Sequence, residues 1–346
     1  MTIETLDPLL DPRWDELVSS HPHASVFHTT GWLKALAKTY GYRPVALTST
    51  GAGEHIADGV VFCEVRSRFT GARLISLPFS DHAQPLLNDG YGFTEMKQWM
   101  EAACSRGQWK YFELRPNISD LDPGSDLVAT ESFWLHTLDL APSIDKIFSN
   151  LHKSCMQRRI RHAEHERLTY ERSCTDRLID DFYNLTLITR KRHRLLPQPR
   201  EWFRSILTEM NPTAEIRMVR KDGDPVAAIL TLRHRGTVVY KYGSSDERFH
   251  RLGGMPYLFW RLIEESKLEG VEQIDFGRTE LENAGLIEFK DRIGTTMTKM
   301  SYLRYPQSER TSGAQLSRLG LQRKLLSFLP DIVSSNMGRL VYRHIA

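Results

Sequence analysis

The chain has 346 residues, 40% hydrophobic, 26% charged and 10% aromatic, a composition that supports one large or two ordinary cores and excludes wholesale disorder. Its net charge of +3, from 46 basic and 43 acidic residues, excludes a polycation built to coat nucleic acid, and DNA is not an expected partner. The charge is uneven: residues 151–200 carry +6, which leaves 3 − 6 = −3 for the rest, so the middle of the chain is the part suited to face an anion. Four cysteines, Cys63, Cys104, Cys155 and Cys174, lie far apart with no CxxC pair, and neither a metal site nor a dense disulfide framework is expected. No window approaches about eighteen consecutive apolar residues, and the acidic opening MTIETLDPLLDPRWDE lacks the basic-then-apolar order of an export signal. The expected location is cytoplasmic.

Along the chain, DPRWDELVSSHP reads as a short helix capped by Asp11 with Pro12 behind it. In FHTTGWLKALAKTYG, Thr30 is placed to cap a second helix that Gly41 ends. RPVALTS, HIADGVVFCEVRS and ARLISLPFS are β-rich and punctuated by glycine, so three strands are expected. A helix near FTEMKQWMEAACSRG and strands at WKYFELR and ESFWLHTLDL follow, and a first domain of residues 1–141 is expected to close before Pro142. From Ser143 one long helical pattern runs through FSNLHKSCMQRRIRHAEHE to a strand at LTYERS. Helices at 176–194 and 199–210 precede strands AEIRMVRK, PVAAILTLRH and TVVYKYGS, joined by the turns KDGDP and HRGT. A helix from Pro256 to Lys267, a strand VEQIDFG, a short helix at AGLIEFKDRIG and a strand TKMSYLRY complete a second domain of residues 142–305. The tail 306–346, with QLSRLGLQRKLLSFL, is expected to be helical. It either docks back on the protein or makes peripheral contact with a membrane surface.

The strongest chemical signal is IDFGRTELENAGLIEFKDRIG, residues 274–294, where a strand ends in Asp275-Phe276-Gly277-Arg278 and a later helix carries Phe289-Lys290. This segment resembles the FemABX peptidyltransferases and their relatives in the GNAT acyltransferase superfamily, whose second domain has a DF-G strand followed by a Phe-Lys helix and a glycine, here Gly294. HTTGW, LPFSDHAQPLL and LITRKRHRLLPQPREWF are similar to other motifs of its FemAB-like branch found near exopolysaccharide loci. The resemblance covers roughly residues 25–304. Together with the element order it implies an α/β (α+β) fold of two tandem GNAT-like domains, the first truncated, with mixed sheets flanked by helices.

It also implies an N-acyltransferase that delivers an acyl or aminoacyl group to an amine of a cell-wall, polysaccharide or other phosphate-linked precursor. No permanently bound cofactor is expected. The cosubstrate would be an acyl-CoA or an aminoacyl-tRNA, so tRNA stands among the partners beside a phosphate-bearing small-molecule or lipid-linked acceptor. A different class stays open, a non-catalytic polysaccharide- or lipid-carrier-binding protein on a degenerate GNAT scaffold, although the retained Phe289-Lys290 pair favours an enzyme. Acyl transfer needs a cation near the carbonyl and a group that takes the amine proton. Lys290 is the candidate cation, projecting into a cleft, and Lys290→Ala is expected to remove transfer without unfolding the chain. Asp275 is either catalytic or the partner of Arg278, and Asp81 or His82 is the candidate base. Candidate substrate contacts are Trp32 and Lys34 on the early helix, Arg192 and His193 in the basic run, Tyr242, Arg278 and Phe289. Trp32 also reads as core and Lys34 as a solvated cation. For the donor, Arg248, Arg251, Gly253 and Gly254 lie in SSDERFHRLGGMP, where a CoA-binding loop belongs; Arg251 stands where its middle glycine is expected, and Asp246 and Glu247 add opposing charge.

Overall fold

The structure, a computed structural model, describes residues 2–50, 55–67, 71–88, 90–117, 126–306 and 342–343. It divides into two compact units, one of Met1–Ser132 with the segment that begins at Met300, the other Phe133–Lys299. The expected tail helix lies outside the described residues.

In the first unit Asp11 accepts the backbone N–H of Arg13 and Pro12 occupies the first helical position, which starts α1 (Pro12–Ser20). Thr29, one residue before the expected cap, accepts from the N–H of Trp32 to start α2 (Thr30–Tyr40), and Gly41 ends it in the left-handed conformation at φ 70°. The strands are β1 (Thr2–Leu6), β2 (Arg43–Thr50), β3 (Ile56–Ser67), β4 (Gly71–Ile75) and β5 (Phe112–Leu114), with the end of β12 (Thr296–Tyr305) beside β5. Neighbours are antiparallel except β4 and β5. The edge strand β1 was not expected; five residues of mixed polarity give a weak pattern, and pairing from Thr2↔Thr50 to Leu6↔Ala46 makes it extended. Helix α3 (Gly90–Ser105) sends Met96 and Met100 into a core with Leu47, Phe62, Leu74 and Phe112.

The second unit, which β6 (Val128–Asp139) enters at Phe133, has strands in the order β6, β11 (Gln273–Glu280), β10 (Thr237–Ser245), β9 (Asp224–His234), β8 (Ala214–Lys221) and β7 (Thr169–Ser173). Only β10 and β11 run parallel. Asp222 and Gly223, both at positive φ, make the two-residue turn between β8 and β9. Helices α6 (Asp176–Arg192), α7 (Arg200–Glu209) and α8 (Gly254–Leu268) fall where the sequence places them. The long helix expected from Ser143 is broken instead into α4 (Ile144–Asn150), a π turn at Lys153–Gln157 and α5 (Arg158–His165). Leu151 is extended at ψ 144°, and the His152 ring accepts the N–H of Cys155, restarting the chain in a new direction. Helix α8 buries Leu258, Phe259, Leu262 and Ile263 with Val219, Ile229 and Ile274, each worth roughly 1.5–3 kcal/mol of hydrophobic stabilisation.

One feature of this sheet positions the site. Strands β10 and β11 pair only at Thr237↔Gln273, Val238↔Ile274 and Val239↔Asp275, although β10 continues to Ser245 and β11 to Glu280. Beyond Val239 and Asp275 the ladder between them stops, although both strands run on, and we term this unpaired stretch towards their C-terminal ends the wedge.

Candidate active site

At the apex of the wedge β11 changes register against β6. Asp275 faces Thr137 and Arg278 faces Leu135, so Phe276 and Gly277 together oppose His136 in a bulge. Gly277 has φ 72°, a conformation that costs other residues energy, and its N–H donates to Asp275 Oδ1 at 2.6 Å. Helix α9 (Ala284–Asp291), capped by Asn283, brings Lys290 back to this bulge. The Lys290 side chain is buried, and its ammonium donates to Gly277 O at 2.9 Å, Arg278 O at 3.1 Å and Thr279 Oγ1 at 2.8 Å. Three donors therefore meet three acceptors. The sequence expectation had Lys290 projecting into a cleft; here it is enclosed and tied to the strand that carries Asp275.

His136 belongs to the same cluster and carried no motif that the sequence could offer. It is buried, its Nδ1 lies 3.2 Å from Thr295 Oγ1, and its Nε2 has no hydrogen-bond partner among the described residues. Burial first, and the Lys290 charge second, push its pKa down to about 4 against an opposing pull from Asp275, so the ring is neutral at pH 7. Arg278 stacks its guanidinium 4.0 Å from the Phe133 ring centroid. Phe289 packs on Phe259, with ring centroids 5.7 Å apart, as the anchor of α9.

Where β10 ends and α8 begins, a cavity of about 420 Å³ opens, lined among others by Arg159, Ser245, His250, Met255, Phe289 and Arg292. Its rim is cationic. Arg192, from the last turn of α6, reaches Ser245 O and His250 Nε2, each at 3.3 Å, and Arg159 donates to His250 O at 3.0 Å. Burial, then Arg192, holds the His250 pKa below its ordinary value. Arg192 is thus brought to the expected donor loop, whereas His193 beside it is exposed. The loop folds as a 3-10 turn, Glu247–Leu252, capped by Asp246, which accepts the Arg248 N–H at 2.9 Å and pairs with the Arg248 guanidinium. The carboxylate that looked unfavourable in the sequence is therefore neutralised, its pKa held low by Arg248, and Arg248 is committed to it. Arg251 is exposed on the same turn. The glycines serve the protein's own packing: a Cβ on Gly253 (φ 78°) would stand 2.5 Å from Arg159 O, and one on Gly254 would stand 2.8 Å from Val226. Tyr242 accepts the Trp202 indole N–H at 2.9 Å and packs against Phe203.

The remaining candidates belong to the first unit. Trp32 is wholly buried, with its ring edge-on to Phe27, and His82 packs on the same Phe27 from 5.4 Å. Lys34 is exposed on α2. Asp81 follows a loop with Leu77 at φ 67° and Phe79 at φ 61°; Arg115 donates to Leu77 O at 2.8 Å, and Tyr302 donates to Asp81 O at 2.8 Å. Of the residues that line the cavity, Arg159, His250 and Arg292 were not singled out from the sequence. The signal for Arg159 was the positive excess of residues 151–200, while His250 and Arg292 lie inside the two motif segments, SSDERFHRLGGMP and IDFGRTELENAGLIEFKDRIG, whose other residues drew the reading. Among the described residues no cluster of three His, Cys, Asp or Glu is disposed to hold a metal ion, and no helix is long and apolar enough to cross a membrane.

Residues 151–291 match the family model described as an acetyltransferase (GNAT) domain. No curated protein matches the sequence. Among solved structures, FemX superposes with a TM-score of 0.71 at 13% identity, covering 92% of this chain and 99% of its own. The C-terminal domain of a putative lysylphosphatidylglycerol synthetase from Agrobacterium fabrum gives 0.57 at 12% identity over 91% and 95%. A tandem GNAT protein from the clavulanic acid biosynthesis pathway gives 0.52 at 12% identity over 88% and 98%. The chain therefore has the GNAT fold, with mixed sheets flanked by helices, as the order of its elements implied.

Proposed function

We propose that this chain is a FemAB-like N-acyltransferase that moves an acyl or aminoacyl group onto an amine of a cell-wall, polysaccharide or other phosphate-linked precursor. The observations that carry the reading are the unpaired ends of β10 and β11 and, where β10 ends and α8 begins, a cavity lined by Arg159 and Arg292, almost all of it within the segment that matches a GNAT domain. A thioester or ester arm fits such a wedge, while Arg192, Arg159 and Arg292 suit a phosphate at its mouth. Similarity to FemX supports a peptidoglycan-type acceptor, and similarity to the putative lysylphosphatidylglycerol synthetase keeps a lipid-linked one in view. The donor is an acyl-CoA or an aminoacyl-tRNA. Asp81 and His82 are proposed on the acceptor side, and tandem domains with boundaries near residue 141 remain part of the reading. Mass spectrometry of ligands retained by the purified protein, followed by binding of coenzyme A thioesters and aminoacyl-tRNA, tests it. A donor captured with micromolar affinity is the expected result, and a protein that binds neither class would overturn it.

A further inference from the structure

We propose that Lys290 is a positioning residue whose buried ammonium, by taking the carbonyls of Gly277 and Arg278, holds β11 in its bulge and keeps the wedge beside β10 open. The inference rests on the reading of the wedge as the donor's seat. Successive carbonyls of a regular strand point to opposite sides, so one group cannot ordinarily receive two in a row. Here Gly277 O and Arg278 O, at 2.9 and 3.1 Å, end on the same nitrogen, which requires the bulge and the positive φ at Gly277. The bulge begins at Asp275, the residue at which pairing with β10 stops. Departure from β10, distortion against β6 and capture by Lys290 are therefore one event in the chain. A strand that leaves its neighbour exposes backbone acceptors to a buried environment, and those acceptors need donors. Lys290 supplies them from outside the sheet, and Thr279 Oγ1 at 2.8 Å takes its third proton.

An ammonium with all three protons committed is poorly placed to act on a carbonyl in transit, which separates this role from direct catalysis. Four variants of the full chain test it: Lys290→Met, which keeps the length without donors, Lys290→Arg, whose planar fork cannot meet three converging acceptors, Thr279→Val, a milder loss should the first fail to fold, and Thr279→Ser, which keeps the hydroxyl. The readouts are thermal unfolding, amide exchange along β11, and affinity and turnover with whichever of acetyl-coenzyme A and an aminoacylated RNA 3′ end the wild type binds. Lys290→Met and Lys290→Arg are expected to melt earlier, with faster exchange confined to 276–280, and to weaken the donor by about tenfold or more while turnover at saturation is largely kept. Thr279→Val should fall between, with Thr279→Ser restoring wild-type values. Unchanged melting and exchange with collapsed turnover would make Lys290 a catalytic group and overturn the proposal, while the acyltransferase reading stood. Earlier melting with unchanged donor affinity would make it a structural cation only, which also overturns it. A wild type that binds neither donor would remove the acyltransferase reading and the positioning role with it.

Discussion

Histidine 136 carries its own prediction, because a buried imidazole held neutral beside an ammonium makes stability depend on pH. With the folded pKa at about 4 and an unfolded value near 6.5, the unfolded chain takes up the proton first as the solution is acidified. Stability present above about pH 6.5 is therefore lost as pH falls towards 4, by roughly 3 kcal/mol at most from this residue. Urea unfolding midpoints of wild type and His136→Gln at pH 7, 5 and 4 should show a shallower acid loss in the variant, and equal slopes would refute the assignment. Arg192 and His193 make a sharper pair. Arg192 is directed to Ser245 O and His250, whereas His193 is exposed, so Arg192→Ala should weaken a phosphate-bearing ligand about tenfold and His193→Ala far less. Both should melt within about two degrees of wild type, since neither fills the core. Isothermal titration with the ligand recovered from the purified protein is the measurement.

At the scale of elements, the turn into α8 is where substitution should cost most for the fewest atoms. Gly253→Ala must place a Cβ 2.5 Å from Arg159 O in a left-handed conformation, so the backbone of α5 or of the turn has to move. A loss of about 2 kcal/mol or more is expected, read as a fall of several degrees in calorimetry. That glycine was legible as a helix start and as a place for an anion, but not as a seat for another helix. The difference shows what the sequence can carry. Turns such as Asp222-Gly223 and caps such as Asp11 are local chemistry, and element order follows from them together with hydrophobic period. The break at Leu151 is tertiary: nothing in FSNLHKSCMQ breaks a helix, and it is the backbone bond of His152 to Arg292 O that fixes the corner. The same corner delivers Arg159 to the cavity, which is why a site residue from α5 escaped a reading made along the chain. Lys290 was legible as a residue type in a motif, whereas its three acceptors were not, since they lie on a bulge that only pairing creates.

At the scale of the molecule, the chain leaves the first unit at Ser132 and rejoins it at Met300. β12 then pairs with β5 through Leu303↔Leu114 and sets Arg304 against Glu113, a buried carboxylate that Arg115 holds from the other side. Both guanidiniums, against the cost of burial, keep the Glu113 pKa below its ordinary value. Arg304→Ala should destabilise by about 3–5 kcal/mol, because it strips one partner from a buried carboxylate while Arg115 remains. Chemical denaturation with Glu113→Gln added would show coupling if the assignment is right. A fragment ending at residue 141 keeps β5 but lacks β12, and it should show poorly dispersed amide resonances. The same path has a consequence in time. During synthesis β5 emerges early, and its mate follows only after about 190 further residues, some ten to forty seconds of translation at ordinary bacterial rates. For that interval a short strand, Phe112-Glu113-Leu114, waits with an open edge, a template for the wrong neighbour. Nascent chains halted before Met300 should therefore recruit chaperones and succumb to protease along β4 and β5, and chains halted far enough beyond Tyr305 for β12 to clear the ribosome should resist, so that the last strand of the sheet acts as the clasp that ends the vulnerable period.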